Sequence, residues 1–370
     1  MSRITGSADI GSADIGSAVT GSAVTGSAVT GSVDIPRTMR ASVLVAKGRI
    51  RVEERPVPVP ADDEVLIQVA SVGVCGSDVH YYREGRIGDF VVDAPLVLGH
   101  EVSGRIVAVG AAVPDTRIGE RVAIEPQRPC RICAQCAAGR YNLCPHMEFY
   151  ATPPVDGAFQ EYVTIQAPFA HPVPDTLSDD VAALLEPLSV GIWAGRKAEV
   201  APGSRVLIAG AGPIGVIAAQ SAKAFGASEV IVSDPVAERR AMAERYGATS
   251  TLDPMTDSVA DLGVDAFIDC SGATPAVRSG ITAVRGAGTV VLVGMGADDV
   301  PLPIPVIQNR ELKVTGVFRY TDTWPVAAQL AAAGQVDLGS LVTGRFDLDH
   351  VEDALNADLA PGSLKTVVYL

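Results

Sequence analysis

Four cysteines lie in one short stretch at spacings typical of a metal site. Cys130, Cys133, Cys136 and Cys144 are separated by two, two and seven residues. Four thiolates at such spacings can enclose a tetrahedral zinc ion, and because the protein then fills every coordination position, the metal would be structural. An iron–sulfur cluster and unmetallated thiols are the alternatives, but the last gap is longer than in iron–sulfur runs that end in Cys-Pro. The stretch therefore predicts a structural zinc site.

A second set of possible metal ligands consists of Cys75, His100 and Glu101. A thiolate, an imidazole and a carboxylate can bind zinc and leave a fourth position open, and that open position makes zinc a Lewis acid. Adjacent residues of a regular strand face opposite ways. The chain must therefore bend at Gly99, or Glu101 must act from outside the coordination shell. Taken singly, a cysteine or a histidine more often has a purely structural role.

A glycine-rich turn follows the apolar run at residues 206–209 and precedes an alanine-rich stretch. Glycines in this context permit a tight turn, let a pyrophosphate approach the backbone and allow the helix to pack closely on the strand. The helix N-terminus offers unpaired N–H groups to the phosphates. We therefore expect a dinucleotide to be held by Gly210, Gly212, Pro213, Ile214 and Gly215.

An acidic residue after this motif indicates which dinucleotide binds. Asp234 ends the next apolar run, where its carboxylate can accept hydrogen bonds from the adenosine ribose and would repel a 2′-phosphate. Arg239 is a counter-signal, because an arginine can bind that phosphate; we interpret it as packing along the adenine side. The pattern favours NAD over NADP.

The elements that position these residues change in character near residue 187. Before it, short runs with period-two alternation, broken by Gly and Pro, predict β-strands. After it, apolar runs alternate with helical stretches, which predicts a parallel sheet covered by helices on both faces. We predict an α/β chain with a leader, a catalytic zinc domain, a doubly wound Rossmann domain and a return to the catalytic domain, at residues 1–38, 39–187, 188–318 and 319–370.

The leader contains six pentapeptides of the GSADI and GSAVT type at residues 6–35. Repeat folds need several stacked coils, and six repeats at roughly four per turn would form only about one and a half turns. We therefore expect a flexible, low-complexity segment without activity rather than a small solenoid, and we expect the folded protein to begin at Met39.

Composition limits the possible partners. Hydrophobic residues make up 48% of the 370 residues, charged residues 19%, and the net charge is −14. A chain this acidic lacks the basic face that nucleic acids and anionic membranes require. Neither an apolar run long enough to span a membrane nor a secretory signal is visible. We expect a cytoplasmic protein with neither nucleic-acid nor membrane partners.

The order of these features resembles that of the zinc-dependent medium-chain dehydrogenases. Further segments resemble the polyol branch of that family, which includes sorbitol (L-iditol 2-) dehydrogenase and xylitol dehydrogenase. The resemblance covers residues 39–370 and implies a β-rich, GroES-like catalytic domain beside the Rossmann domain, and a homotetramer. The segments that carry it are Cys75-Gly-Ser-Asp78, Gly99-His-Glu101, Ala151-Thr-Pro-Pro154, Glu186-Pro-Leu-Ser189 and Gly316-Val-Phe-Arg-Tyr320.

The resemblance also implies roles for individual residues. The cysteine, histidine and glutamate named above correspond to the catalytic zinc ligands, and Ser77 to the hydroxyl that relays the substrate proton. Glu186 corresponds to a carboxylate that holds the metal-bound water and can approach the zinc, and Asp78 to the carboxylate that orients the ligand histidine. The residues that would line the polyol site are Tyr81, Phe149, Glu186, Arg319 and Tyr320.

These features predict a zinc- and NAD-dependent enzyme with one catalytic and one structural zinc. The expected reaction is oxidation of the C2 hydroxyl of a sugar alcohol to a ketose. One alternative is a dehydrogenase of another vicinal diol or amino alcohol, such as butanediol or threonine. Another is a zinc-free NAD(P)H-binding regulator or lens-type structural protein on the same scaffold.

Overall fold

A computed structural model describes residues 34–260, 262–360 and 362–370. Most of the pentapeptide leader therefore lies outside the described residues, and the expectation about it stays a prediction. Residues Ile35–Leu370 form one compact unit, so the sites below, which all lie within it, can be described together.

The first half of this unit is built mainly from strands. Its strands are β1 (Thr38–Ala46), β2 (Arg49–Pro56), β3 (Glu64–Gly73), β4 (Arg86–Ile87), β5 (Phe90–Val91), β6 (Leu96–Val97), β7 (Glu101–Val109), β8 (Arg121–Ile124), β9 (Gln127–Arg128), β10 (Glu148–Phe149), β11 (Tyr162–Gln166) and β12 (Ala170–Pro172). Its helices are α1 (Gly76–Glu84), α2 (Ala134–Ala137) and α3 (Asp179–Ala183).

Strand β3 is the centre of the largest sheet of this half. It pairs antiparallel with β7 and with β11, and β7 continues to β8 and β12. The alternating Val65, Ile67 and Val69 are each at most 3% exposed, because they face the apolar core of this half. The end of β3 leads directly into α1, and the start of β7 lies beside that end, so both element boundaries meet at one place.

The second half alternates strands and helices. Its strands are β13 (Arg205–Ala209), β14 (Glu229–Ser233), β15 (Ser250–Leu252), β16 (Val264–Asp269), β17 (Val284–Leu292) and β18 (Lys313–Gly316). Its helices are α4 (Leu185–Lys197), α5 (Pro213–Ala224), α6 (Ala237–Arg245), α7 (Thr274–Ala283), α8 (Ile304–Asn309) and α9 (Trp324–Ala332).

All six strands of this half form one parallel sheet in the order β15-β14-β13-β16-β17-β18. Apolar residues of β13 belong to two separate core clusters, as expected for a strand that is covered on both faces. The predicted α/β class with a β-rich part and a doubly wound part is confirmed. The last strand, β18, ends at Gly316, and Arg319, three residues later, takes a left-handed φ of +56°.

The last elements return to the first sheet. β19 (Val342–Asp347), α10 (Val351–Asn356) and β20 (Lys365–Tyr369) follow α9. β20 pairs antiparallel with the end of β3 and parallel with β19. The C-terminal strand therefore lies beside the β3–α1 junction. None of the described helices is long and apolar enough to cross a membrane.

Candidate active site

Cys75, His100 and Glu101 converge where β3 and β7 meet. Cys75 is the N-cap residue of α1, His100 precedes β7, and Glu101 is its first residue. Their ligand atoms all lie within 4.8 Å of one another. Gly99 takes φ +87°, a left-handed conformation open mainly to glycine, and this bend lets two adjacent side chains reach the same point.

Asp78 connects the two chain segments that carry these ligands. It is fully buried, and its two carboxylate oxygens accept hydrogen bonds from the backbone N–H groups of Cys75 at 3.0 Å and Gly99 at 2.9 Å. Its distance to His100 Nδ1 is 3.7 Å, longer than a hydrogen bond. Asp78 therefore holds the α1 N-terminus against the bend, and its charge lies beside the histidine ring.

Glu101 is paired on one side only. Its Oε1 accepts a hydrogen bond from Lys365 Nζ at 2.5 Å, and Lys365 also donates to the carbonyl of Val74 at 2.6 Å. Glu101 Oε2 is buried and makes no hydrogen bond within the described part of the chain. A buried, unpaired carboxylate oxygen is strongly unfavourable unless a cation or a donor meets it. The carboxylate of Glu101 brings one of its oxygens within 4.8 Å of the ligand atoms of Cys75 and His100.

The electrostatics of the site follow from burial and from this concentration of charge. Burial alone would lower the pKa of His100, but the negative charges of Cys75 and Asp78 outweigh it and raise that pKa well above its usual value. Burial also lowers the pKa of Lys365, but the charges of Glu101 and Cys75 outweigh burial, and the pKa is raised. The negative side chains thus favour positive charge at this point.

Glu186 and Tyr320 form a buried pair beside the metal-ligand set. Glu186 lies in the first turn of α4, and its Oε1 accepts a hydrogen bond from the Tyr320 hydroxyl at 2.7 Å. Burial is the main reason why the pKa of Glu186 is raised to about 7, and the neighbouring charge of Glu101 adds to it while that of His100 opposes it. Glu186 can therefore hold or release a proton near neutral pH.

Arg319 and two aromatic residues form the adjoining wall. The Arg319 guanidinium lies 4.1 Å from the ring centroid of Phe149 and 4.7 Å from that of Phe318. The Phe149 ring is 5.5 Å from the His100 ring. Burial lowers the pKa of Arg319 to about 10, and this guanidinium forms no ion pair with the described acidic residues. Its N–H donors are free to bind the oxygens of a ligand.

Tyr81 and Ser77 lie on α1. Tyr81 is 4% exposed, and burial raises the pKa of its hydroxyl, while the nearby charges of His100 and Arg319 act in the opposite direction. Ser77 lies two residues after Cys75 in the first helical turn and is half-buried. The Ser77 hydroxyl makes no hydrogen bond within residues 34–260, 262–360 and 362–370.

The glycine-rich turn faces the metal-ligand set across a cleft of about 520 Å³. Pro213 is the first residue of α5, and a side chain at Gly215 would come within 1.8 Å of the Gly210 carbonyl, so close helix–strand packing requires glycine there. Cys75, Glu101 and Lys365 line one side of the cleft. The other side includes Gly212, Pro213, Ile214 and Arg239.

Asp234 directly follows β14, and its carboxylate accepts hydrogen bonds from the backbone of two neighbouring turns. Its Oδ2 accepts a hydrogen bond from the Ala211 N–H and its Oδ1 from the Val236 N–H, both at 2.8 Å. Each carboxylate oxygen can accept more than one hydrogen bond. The side chain therefore fixes the glycine-rich turn and keeps acceptor capacity for a ribose. Arg239 lies in α6 and reaches the cleft.

The four-cysteine stretch folds into a separate thiol cluster. The four Sγ atoms lie within 4.8 Å of one another, and none forms a disulfide. Backbone N–H groups point at the sulfurs: Cys130 N and His146 N lie 3.3 Å and 3.4 Å from Cys144 Sγ. Hydrogen bonds from the backbone lower the pKa of Cys130 to about 6. Donors aimed at sulfur favour thiolates, the form that binds zinc.

Lys365 is the site residue that sequence reasoning missed. It is 3% exposed and lies in β20, more than 260 residues after Glu101. A lysine in a short β-prone segment, two residues before Val367 and Val368, was the available signal, because a lysine is almost never fully buried unless it is paired.

Comparison with known proteins identifies the family. Residues 61–175 match the alcohol dehydrogenase GroES-like domain, and residues 213–333 match the zinc-binding dehydrogenase domain. Sorbitol dehydrogenase of Bacillus subtilis is 42% identical over 346 residues, which cover 90% of this chain and 98% of that protein. The chain belongs to the zinc-dependent medium-chain dehydrogenases.

Other relatives of this dehydrogenase agree with that placement. A probable D-xylulose reductase A of Neosartorya fischeri is 42% identical over 340 residues, which cover 88% of this chain and 95% of that protein. The crystal structure of L-idonate 5-dehydrogenase from Escherichia coli superposes with a TM-score of 0.85 at 30% identity and covers 90% of this chain and 98% of that one. The predicted membership of the family, in its polyol branch, is confirmed.

The residues present in this dehydrogenase fit the two zinc ions of the family. The thiol cluster offers four soft ligands with N–H groups directed at sulfur. The other set offers a thiolate, an imidazole and a carboxylate oxygen, Glu101 Oε2, that lacks a partner in the described chain. The glycine-rich turn fits the cofactor NAD in the same way, since its backbone leaves an open cleft at the N-terminus of α5.

Proposed function

We propose that this dehydrogenase oxidises the C2 hydroxyl of a sugar alcohol, such as sorbitol or xylitol, to a ketose with hydride transfer to NAD. The observation that carries the proposal is the cleft in which Cys75 and Glu101 face the glycine-rich turn. A hydroxyl bound at the ligand set would lie at the mouth of the dinucleotide site. The relatives named as sorbitol dehydrogenase and D-xylulose reductase support a polyol as the substrate.

Zinc and NAD bound in this cleft would supply a Lewis acid that lowers the pKa of a hydroxyl group and an acceptor for the hydride. In this proposal Cys75, His100 and Glu101 hold the metal. Lys365 restrains one oxygen of Glu101 and leaves the other free, and Asp78 keeps the two ligand-bearing segments together.

The other side chains of the site select and orient the substrate. Arg319 would donate to the neighbouring hydroxyl oxygens of the polyol, and Glu186 and Tyr81 would bind further hydroxyls. Ser77 would take the proton from the reacting hydroxyl and pass it outward. A site whose buried donors and acceptors are satisfied only by several hydroxyl groups discriminates strongly against simple alcohols, which leave those groups unpaired.

The experiment that tests the proposal is a substrate panel combined with metal analysis. We expect about two zinc ions per chain and the highest kcat/KM for sorbitol, xylitol or ribitol with NAD. A panel in which butanediol or threonine is preferred would replace the polyol by another diol or an amino alcohol. Protein that binds NAD(P)H but holds no zinc and oxidises no alcohol would contradict enzymatic function altogether.

Replacing Asp234 by serine is expected to relax the preference for NAD. The substitution removes the negative charge that opposes a 2′-phosphate, so the ratio of kcat/KM with NAD to kcat/KM with NADP should fall at least about tenfold, equivalent to about 1.4 kcal/mol. Affinity for both cofactors should also decrease, because the N–H groups of Ala211 and Val236 lose their acceptor. The role of Asp234 is therefore tested by the ratio of kcat/KM with NAD to kcat/KM with NADP rather than by the affinity for either cofactor.

Asp265→Asn is a suitable control for this substitution. Asp265 lies at the opposite end of the same sheet, where it accepts a hydrogen bond from the Arg205 N–H and pairs with Arg285. Its substitution removes one charge without touching the cleft, so the cofactor ratio should not change. An unchanged ratio in Asp234→Ser as well would refute the role of Asp234.

We also propose a homotetramer in the cytoplasm, without nucleic-acid or membrane partners. The exposed edge strand β18, with Val314 38% exposed, offers an unpaired strand edge for pairing between subunits. Six cysteines without disulfides suit a reducing compartment. Light scattering of the purified protein measures the assembly, and a mass of one 38.2 kDa chain would contradict it.

A further inference from the structure

The turn that carries Arg319 and Tyr320 has an unfavourable backbone conformation. Arg319 takes φ +56° and Asp322 takes φ +53°, although neither is a glycine. Such conformations persist only where the surrounding structure fixes them. The contacts of residues 318–322, called the substrate turn below, therefore indicate what fixes the position of the Arg319 guanidinium and the Tyr320 hydroxyl.

Many of these contacts come from the cysteine lobe, defined here as residues 130–144. Three residues that lie between the third and fourth cysteines of this lobe make direct hydrogen bonds to the substrate turn, each between 2.9 and 3.0 Å. The bonds are Asn142 Nδ2 to the Phe318 carbonyl, the Asp322 N–H to the Tyr141 hydroxyl, and the Thr321 hydroxyl to the Gly139 carbonyl.

A fourth bond comes from a residue just outside the lobe. Gln127 Nε2 donates to the Tyr320 carbonyl at 3.0 Å. Asn142 and Gln127 are 4% and 0% exposed, so these amide bonds are shielded from water. Four of the five residues of the substrate turn thus bond to the lobe or to Gln127, and the fifth, Arg319, faces Phe149. Helix α4 adds one further backbone contact, from Arg196 to the Asp322 carbonyl at 2.7 Å.

We propose that the cysteine lobe is a positioning element of the substrate site, with Asn142 as its main positioning residue. The proposal rests on the proposed function for the identity of the substrate. The Phe318 carbonyl that Asn142 holds directly precedes Arg319, so a shift of the lobe shifts the guanidinium. Metal bound by the four thiolates would fix the segment that carries Asn142, and thereby the part of the site that binds polyol hydroxyls.

A purely structural lobe would behave differently. Weakening it would then lower stability, and the protein that remains folded would bind substrate normally. A positioning role requires that the folded variant has a raised KM for the polyol with unchanged affinity for NADH, because the glycine-rich turn makes none of these contacts. The two roles are therefore separated by kinetics rather than by stability.

Asn142→Ala in the zinc-loaded enzyme is the direct test. We expect KM for the polyol to rise about five- to tenfold, the factor that loss of one buried hydrogen bond produces. The NADH dissociation constant, measured by fluorescence titration, and the zinc content should not change. Gln220→Ala is the matched control: Gln220 is a buried amide that bonds the backbone of Asp337. The KM of Gln220→Ala for the polyol should equal that of the wild type.

Cys136→Ser with hydrogen exchange provides a readout that needs no substrate. Zinc per chain should fall by about one ion, and amide exchange at residues 318–322 should accelerate relative to β13, while NADH affinity is retained. Unchanged exchange in the substrate turn together with an unchanged KM in Asn142→Ala would overturn the proposal. Failure of the wild type to oxidise polyols would instead refute the proposed function and leave the exchange result as the test of this inference.

Discussion

Replacing Lys365 by methionine should reduce the free energy of unfolding of the metal-free protein by about 3–5 kcal/mol, the range measured when one partner of a buried ion pair is removed. Lys365 and Glu101 are 3% and 0% exposed. Without the ammonium group, Glu101 Oε1 and the Val74 carbonyl lose their partner in an environment that excludes water, and the carboxylate charge is left unpaired. Urea unfolding in the presence of a chelator measures this effect.

The chain offers a matched control and a compensating variant for this prediction. Lys313 pairs with Glu199 on the surface, where both side chains are about 60% exposed, so Lys313→Met should change stability by only about 0–1 kcal/mol. In the double variant Lys365→Met with Glu101→Gln, the buried charge is gone and most of the stability should return. Equal losses for Lys365→Met and Lys313→Met would show that the buried pair has no special energetic role.

The pattern of residue types was sufficient to name Cys75, His100 and Glu101 as candidate metal ligands, the family resemblance favoured them, and the fold explains how they meet. Cys75 could be selected because it follows an apolar alternating strand, and His100 and Glu101 because they form a pair of ligand types after a glycine. Their convergence depends on the pairing of β3 with β7 and on the left-handed Gly99. The glycine-rich turn was easier to interpret, since its function depends on a local strand–turn–helix unit.

Contacts between residues far apart in the chain were beyond the reach of the sequence pattern. Lys365 meets Glu101 only because β20 returns to the edge of β3. The hydrogen bond from Asn142 to the Phe318 carbonyl spans 176 residues. Neither residue belongs to a motif with local chemical meaning, so spacing alone could not identify it. Arg319 was found through family resemblance, whereas its stacking between Phe149 and Phe318 became visible only in three dimensions.

Replacing Ser77 by alanine should reduce kcat about 100-fold or more, because positioned proton transfer contributes roughly 10²–10⁴-fold to such reactions. Zinc content should not change. The N-terminus of α1 is capped through the Cys75 N–H and the Asp78 carboxylate, and Ser77 takes no part in that bond. Steady-state kinetics with a saturating polyol and NAD, together with metal analysis, measure both quantities.

Two comparisons separate a proton-transfer role of Ser77 from a packing role. Ser77→Thr keeps the hydroxyl and should retain most of kcat, whereas a site that is sensitive only to shape should tolerate alanine better than the larger threonine. The deficit of Ser77→Ala should also shrink as pH rises, since hydroxide in solution can then accept the proton that the serine normally receives. A deficit that is independent of pH, or full turnover of Ser77→Ala at neutral pH, would show that the proton does not leave through Ser77.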